Sequence, residues 1–354
     1  MNGTISASVA TARAAFGGGR GYLAACTTGL PTRRTRDALI ADLDSSSRGA
    51  VDIAGYCAAV ERSRSAFARL VGVAPARVAI GSQVSVFTAL IAGAVPPGGE
   101  VLVPEGDFSS VSRPFLHAGT GIRVRSVPLE TLADEIGPAT SLVAFSLVQS
   151  ASGQVADLDA IVAAARRHGT RTYCDATQAV GWMPVEAGMV DALVCHAYKW
   201  LCAPRGVAFL AVSEELQGAL LPRFAGWYAG DDPWLSCYGH EFALAGDARV
   251  FDVSPAWQAF VGAAPALELF ASLDMHDVRE HTTRLAARFG DGMALTRPAR
   301  GSAIVTWADR DGADLAALTA AGITASGRSG RARVAFHVFN DDIDVGLALA
   351  ALGR

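Results

Sequence analysis

Between about residue 58 and residue 212 the sequence alternates short apolar runs with stretches of helical spacing, and that alternation leaves few architectures open. Ala58 to Val71 has helical periodicity, Val78-Ala79-Ile80 is a short apolar run, and Val84 to Ala94 returns to helical spacing. Val101 to Val103 and Ile122 to Val124 are again strand-like. Leu142 to Leu147 precedes a helix from Leu158 to Arg167, with Asp157 placed to cap its start and His168-Gly169 placed to stop it. Arg171 to Cys174, Ala192 to Cys195 and Val207 to Val212 complete the series. Strand and helix repeated in this order predict an α/β fold: a mostly parallel sheet flanked by helices on both faces. After about Asp252 the pattern changes. Long helical stretches (Pro255 to Leu273, Val278 to Phe289) precede a strand at Ala303 to Trp307, a helix near Leu315, a strand at Val334 to Phe336 and a last helix from Asp341. Three parts are expected: a loose arm over residues 1–20, a large domain over 21–252 and a smaller α+β domain over 253–354.

Composition removes several functions. The net charge of −4 and 18% charged residues argue against a nucleic-acid partner. The longest uncharged stretch, Val78 to Gly99, carries Ser82, Gln83, Ser85 and Thr88 and ends in Pro-Pro-Gly-Gly, which reads as strand, turn and helix rather than a membrane span. The first residues lack a basic start followed by an apolar block, so no signal peptide is expected and a cytoplasmic location is. The six cysteines form no CxxC pair and the seven histidines no ligand spacing, so neither a disulfide framework nor a metal site is expected.

The basic residues are lopsided: of thirty, one is lysine, Lys199. A bias toward arginine removes every lysine that arginine can replace. Arginine stays protonated and cannot serve as an amine nucleophile, so a surviving lysine points to amine chemistry. Its neighbours Cys195, Trp200, Leu201 and Cys202 predict burial. Open α/β sheets bind ligands at the carboxyl ends of their strands. Asp175 directly follows Arg171-Thr-Tyr-Cys174, and Lys199 lies just past Ala192-Leu-Val-Cys195, 24 residues on. A carboxylate and an amine can therefore reach one crevice from neighbouring strands. Gly81-Ser82-Gln83, between a strand and a helix, suits an anion at the helix N-terminus. Neither GxGxxG nor GxxxxGK[ST] is present.

From Ser146 onward the sequence resembles the class V aminotransferase family of fold-type I, pyridoxal phosphate (PLP)-dependent enzymes. Four pieces carry the likeness in order: the small-residue turn with Gly153, Asp175-Ala-Thr-Gln178-Ala-Val-Gly181, Tyr198-Lys199-Trp200-Leu201 and Pro204-Arg205-Gly206. The last two fall in a KWLCAPRG run most similar to the isopenicillin N epimerase-like branch. The resemblance implies roles. Lys199 would form the Schiff base and shuttle the proton, and Asp175 would pair with the pyridine nitrogen. Gln178 and Ser150 would approach the ring hydroxyl, and Phe108 would stack on the ring. Ser82, Gln83 and His196 would surround the phosphate. Ser254 would reach the phosphate of a partner subunit's cofactor, which implies a homodimer. Arg333, with Arg328 as second candidate, would grip the substrate α-carboxylate, a task suited to guanidinium.

The implied activity is Cα deprotonation of an amino acid through an external aldimine, aminotransferase-type first, with a C–S or other β-lyase and an epimerase as alternatives. A non-catalytic PLP-binding protein is a further alternative, although such a protein would often lose the lysine, the aspartate or the arginine. Two departures from the pattern stand out. The loop Gly322 to Gly330 lacks the cysteine that desulfurases commonly carry there, and the lysine follows Tyr198 rather than histidine.

Overall fold

The apolar runs of the first two-thirds pair into one seven-stranded sheet in a computed structural model, which describes residues 5–354. The strands are β1 (Val78–Gly81), β2 (Glu100–Pro104), β3 (Arg123–Val127), β4 (Thr140–Ser146), β5 (Arg171–Asp175), β6 (Ala192–His196) and β7 (Ala208–Val212). Their order is β1-β7-β6-β5-β4-β2-β3. Strands β2 to β6 pair in parallel, and β7 is antiparallel to both of its neighbours, β6 and β1. β1 therefore points the same way as β6, and every strand but β7 ends at one common edge. β1, β6 and β7 are buried at every residue, as a sheet covered on both faces requires.

The helices are α1 (Ala7–Ala14), α2 (Arg33–Ser47), α3 (Ile53–Leu70), α4 (Val84–Ala92), α5 (Ser109–Leu116), α6 (Leu158–His168), α7 (Glu214–Ala219), α8 (Trp257–Ala271), α9 (Met275–Gly292), α10 (Ala313–Ala320) and α11 (Asp342–Ala351). Local chemistry sets several ends. The Asp157 carboxylate accepts from the Ala160 N–H at 3.2 Å, and α6 stops at Gly169 in the left-handed region, φ 66°. Asp341 and Asp344 form a reciprocal capping box at the start of α11. A second, antiparallel sheet holds β8 (Ile304–Ala308), β10 (Arg331–Ala335) and β9 (Ser326–Arg328), in the order β8-β10-β9.

Two expectations change. The arm is not loose over residues 7–14: it forms α1, capped by Ser6, because Val9 and Ala12 lie on one helical face and are buried, with Phe16 buried just beyond its end. Residues 1–4 of the arm lie outside the described residues. The expected boundaries at 21 and 252 do not match the packing. Tyr22 and Ala24 bridge to Thr324 and Ala335, and Leu23 enters the core of the small sheet. α8 packs on α2 and α3, with Phe260, Ala263, Ala264, Leu267 and Phe270 buried in the main core. The reason is again periodicity, since these five residues form an unbroken apolar stripe that only the larger core can cover.

One buried ion pair fixes the sheet edge nearest the presumed anion turn. Arg64 of α3 and Asp252 are both almost wholly buried, and Arg64 Nη2 meets Asp252 Oδ2 at 2.7 Å. Arg64 Nη1 donates to Val78 O at 2.6 Å, and the Ile80 N–H donates to Asp252 Oδ1 at 2.7 Å. Helix α3, strand β1 and the segment before α8 are thereby tied at one point. Removing one partner strands the other in the interior. Asp252→Ala is expected to lower the unfolding free energy by about 3–5 kcal/mol, measured by urea denaturation of the purified protein. A loss below about 1 kcal/mol would show that the pair is dispensable.

Candidate active site

Register brings the chemistry-bearing residues to the common edge. Gly81 of β1 and His196 of β6 both pair with Ala208 of β7. Asp175, the last residue of β5, lies between Ser146 of β4 and Val194 of β6. The loop after His196 carries Tyr198 and Lys199. Two glycines hold that loop in place by close approach. The Gly29 N–H donates to Tyr198 O at 2.8 Å, and a Cβ on Gly29 would stand 2.1 Å from Lys199 O. Gly181, at φ 109°, would place a Cβ 2.7 Å from Trp200 O. Side chains complete the fixation. Trp200 Nε1 donates to Gln178 Oε1 at 2.8 Å, and His337 Nε2 lies 2.9 Å from Trp200 O.

Lys199 is 6% exposed and has no ion-pair partner among the described residues. Its Nζ lies 5.4 Å from the ring centroid of Phe108 and 5.7 Å from that of Tyr198. Burial lowers its pKa to about 8, with Asp175 the main opposing influence. Asp175 is pushed up by burial, opposed by Thr177 and by Lys199. Its Oδ1 accepts from the Thr177 N–H at 2.8 Å, while Thr177 Oγ1 accepts from the His196 N–H at 3.0 Å. His196 is lowered to about 4, by burial first and then by Lys199 and Arg205, and its imidazole is therefore neutral at pH 7. His196 Nε2 is buried without a hydrogen-bond partner, an unmet polar atom facing the same space.

A second cluster adjoins the first. Gln178 Nε2 donates to Ser150 Oγ at 3.1 Å and to Cys26 O at 2.9 Å. Arg333 of β10 is 1% exposed; its Nη1 donates to Ser150 Oγ at 2.9 Å and to Ser150 O, its Nη2 to Thr27 Oγ1 at 2.8 Å and its Nε to Ser326 Oγ at 3.1 Å. All of these acceptors are neutral, and no carboxylate among the described residues pairs with it. Burial consequently lowers its pKa. A guanidinium so desolvated, held by neutral acceptors alone, carries a buried charge without a counter-ion.

A cleft of about 130 Å³ joins these groups, and Gln83, Phe108, Ser150, Asp175, Gln178, His196 and Lys199 all line it. Four other expected residues do not. Ser82 sits in the same turn as Gln83, Arg333 meets the cleft through Ser150, Arg328 is exposed on β9, and Ser254 is exposed beyond Asp252. Sequence reasoning missed several lining residues: Thr177, Ser85, Ser110, Ser146 and, as a site residue, Arg205. Asp107 was also missed. Its carboxylate accepts from the N–H groups of Ser146 and Phe108 and from Ser146 Oγ, and so sets the backbone that carries Phe108. The PEGDFSS run held Asp107 in plain view, one residue before Phe108. A larger cleft of about 930 Å³ lies against β8 and the far side of the Ser152–Gly153 turn, without Lys199 or Asp175. Lys199 and Asp175 both line the smaller one.

Known proteins resemble this chain in sequence and in fold. The family model described as Aminotransferase class-V matches residues 47–300. The uncharacterized aminotransferase YcbU of Bacillus subtilis is 30% identical over 238 residues, 64% of this chain and 63% of that protein. Isopenicillin N epimerase of Amycolatopsis lactamdurans is 31% identical over 255 residues, 64% of this chain and 62% of the other. This chain thus spans just under two-thirds of the length of either relative. Kynureninase of Salinispora tropica is 28% identical over 330 residues, 82% of this chain and 75% of that one. The fold matches the cysteine desulfurase CsdA of Escherichia coli with a TM-score of 0.83 at 20% identity, covering 98% of each chain. It matches the cystine C-S lyase C-DES with a TM-score of 0.83 at 21% identity, covering 95% of this chain and 97% of that one.

A lone buried lysine gives the site a clear titration. Freed of bound small molecules, the protein is expected to react with trinitrobenzenesulfonate at Lys199 with a midpoint near pH 8. The amine is protonated and inert below that pH and neutral above it. A midpoint near the unperturbed value of about 10.4 would mean that the amine is solvated.

Proposed function

Because the chain belongs to the class V aminotransferase family, fold-type I enzymes that use pyridoxal phosphate, we propose that it is an aminotransferase-type enzyme acting on an amino acid at Cα. The observation that carries this reading is the chain's one lysine, dry and lowered to about 8, beside Asp175 and near a buried arginine that has no counter-ion. The residues suit the cofactor. His196 Nε2 has no partner, and the Gln83 side chain makes no capping bond although it stands at the start of α4. Ser82, Gln83 and His196 would hold the phosphate end, Asp175 the ring nitrogen, Gln178 and Ser150 the ring hydroxyl, Phe108 the ring face and Lys199 the aldehyde end. Ser254 would serve the site of a second subunit in a homodimer.

When bound, the cofactor supplies an electron sink for the pair left at Cα. The chain's own residues do the rest. Arg333, its plane fixed by Ser150, Thr27 and Ser326, would meet the α-carboxylate through the one Nη2 N–H that those partners leave free. The Lys199 amine takes the Cα proton and returns one. At about 8 roughly one amine in ten is neutral at pH 7, against fewer than about one in a thousand for an ordinary lysine. Burial raises the Asp175 carboxyl, and Thr177 and Lys199 oppose that rise. His196, neutral, can donate one hydrogen bond without adding charge. The loop Gly322 to Gly330 offers no thiol to accept sulfur, which sets a persulfide-forming desulfurase apart from this chain. No described helix is long and apolar enough to cross a membrane, and all six cysteines are free.

Borohydride treatment of the PLP-loaded protein is expected to fix the cofactor's mass on Lys199, read by peptide mass spectrometry. Lys199→Ala is expected to lower kcat by at least about a hundredfold; full turnover by this variant would sink the mechanism. Arg333→Ala is expected to raise KM for amino acids with a free α-carboxylate about tenfold to a hundredfold. Unchanged KM and kcat would remove Arg333 from carboxylate binding. Assaying keto acid, ammonia or sulfide, and inverted amino acid in parallel distinguishes transamination from elimination and epimerisation.

A further inference from the structure

The site holds more fixed positive charge than one α-carboxylate requires. Arg205 lies against Tyr198 in the cleft, Arg333 is buried behind Ser150 and Arg328 is exposed on β9; none of the three has an ion-pair partner among the described residues. Arg205, which lines the cleft from the Pro204-Arg205-Gly206 turn, has its guanidinium carbon 4.9 Å from the Tyr198 ring centroid. Lys199 Nζ lies 5.7 Å from the same centroid. The stacked ring steadies the Arg205 plane while its donors stay free of any carboxylate. Arg328 shares a face with Arg333. Ser326 pairs with Arg333 in register, and Arg328 follows Ser326 by two residues on the same strand. Burial, with Asp175 beside it, raises the Tyr198 phenol, and the three guanidiniums oppose that rise.

The anions already assigned do not account for all three. The phosphate end is served by neutral donors, the α4 N-terminus and His196. Arg333 takes the α-carboxylate under the function proposed above, on which this inference rests. Arg205 and Arg328 remain. We propose that the substrate is an amino acid with a second anionic group on its side chain, a carboxylate or sulfinate, held by Arg205 and Arg328 beside the Tyr198 ring.

The test compares charged and neutral isosteres on the PLP-loaded protein: aspartate with asparagine, and glutamate with glutamine. The acidic member of at least one pair is expected to have the higher kcat/KM by about tenfold or more. Arg205→Gln and Arg328→Gln are each expected to cut that acidic-to-neutral ratio about tenfold, with Arg205→Lys restoring part of it. Arg333→Gln is expected to weaken both members of a pair. Binding without turnover gives a second reading: calorimetry of the wild-type holoenzyme is expected to show succinate or glutarate binding at least about tenfold more tightly than propionate or butyrate. Equal treatment of acidic and neutral isosteres would overturn the proposal. So would an Arg205→Gln protein that loses affinity for PLP, read by absorbance titration, while keeping the substrate ratio, since Arg205 would then belong to the cofactor phosphate. Turnover with a neutral preference and a labelled Lys199 would overturn this inference alone. If no amino acid of either charge reacts and borohydride leaves Lys199 unlabelled, the proposed function falls with it.

Discussion

The shared direction of six strands is the constraint from which the site follows. β1 to β6 all end at one edge, and only β7 runs against them. Loops that are distant in sequence are thus delivered to one place: the turn after Gly81, the Asp107-Phe108 turn after β2, Ser150 beyond β4, Asp175 closing β5 and Lys199 beyond β6. Parallel strands need crossover helices, and these helices bury both faces of the sheet. That burial gives the edge its low polarity. It moves the Lys199 amine down and the Asp175 carboxyl up with no specialised device beyond position.

The electrostatics of the cleft divide by distance from the sheet. At the sheet edge a carboxylate and a depressed amine oppose each other, and His196 contributes no charge near neutral pH. Toward the small sheet the balance shifts to arginines without carboxylates. An interior of this kind costs stability when no anion is present, because a desolvated cation has lost its water and gained only neutral acceptors. The Arg64–Asp252 pair is the contrasting case, a buried guanidinium fully matched within the fold. The two buried arginines thus differ in kind: Arg64 is matched by a carboxylate within the fold, and Arg333 by neutral acceptors alone.

Much of this was legible in the sequence. The strand and helix alternation, the caps at Asp157 and Gly169, the start of the last helix at Asp341, and the placement of Asp175 and Lys199 at or just past strand ends follow from local chemistry, and the structure reproduces them. Elements without an apolar stripe escaped. α2 buries only Thr35 over fifteen residues, α5 contains Pro114, and β9 is three residues of Ser, Gly and Arg. The packing of α8 on the large domain also escaped, because a stripe shows that a helix is buried and not which core buries it. Among site residues the sequence favoured side chains with obvious chemistry. It passed over those that act through geometry, such as Gly29, Thr177 and Asp107, whose roles exist only once distant backbone segments meet.

Residues 22–29 form a strap. At one end Tyr22 and Ala24 bridge to Thr324 and Ala335 of the small domain; at the other Gly29 is bonded to the carbonyl before Lys199. Arg333, whose Nη2 rests on Thr27, touches the strap midway. The small sheet and the Lys199 loop are therefore joined through this short segment, which turns at residues 25–27, as well as through α8 and α9. A shift of the small sheet would be passed through it to the backbone that carries the Lys199 amine.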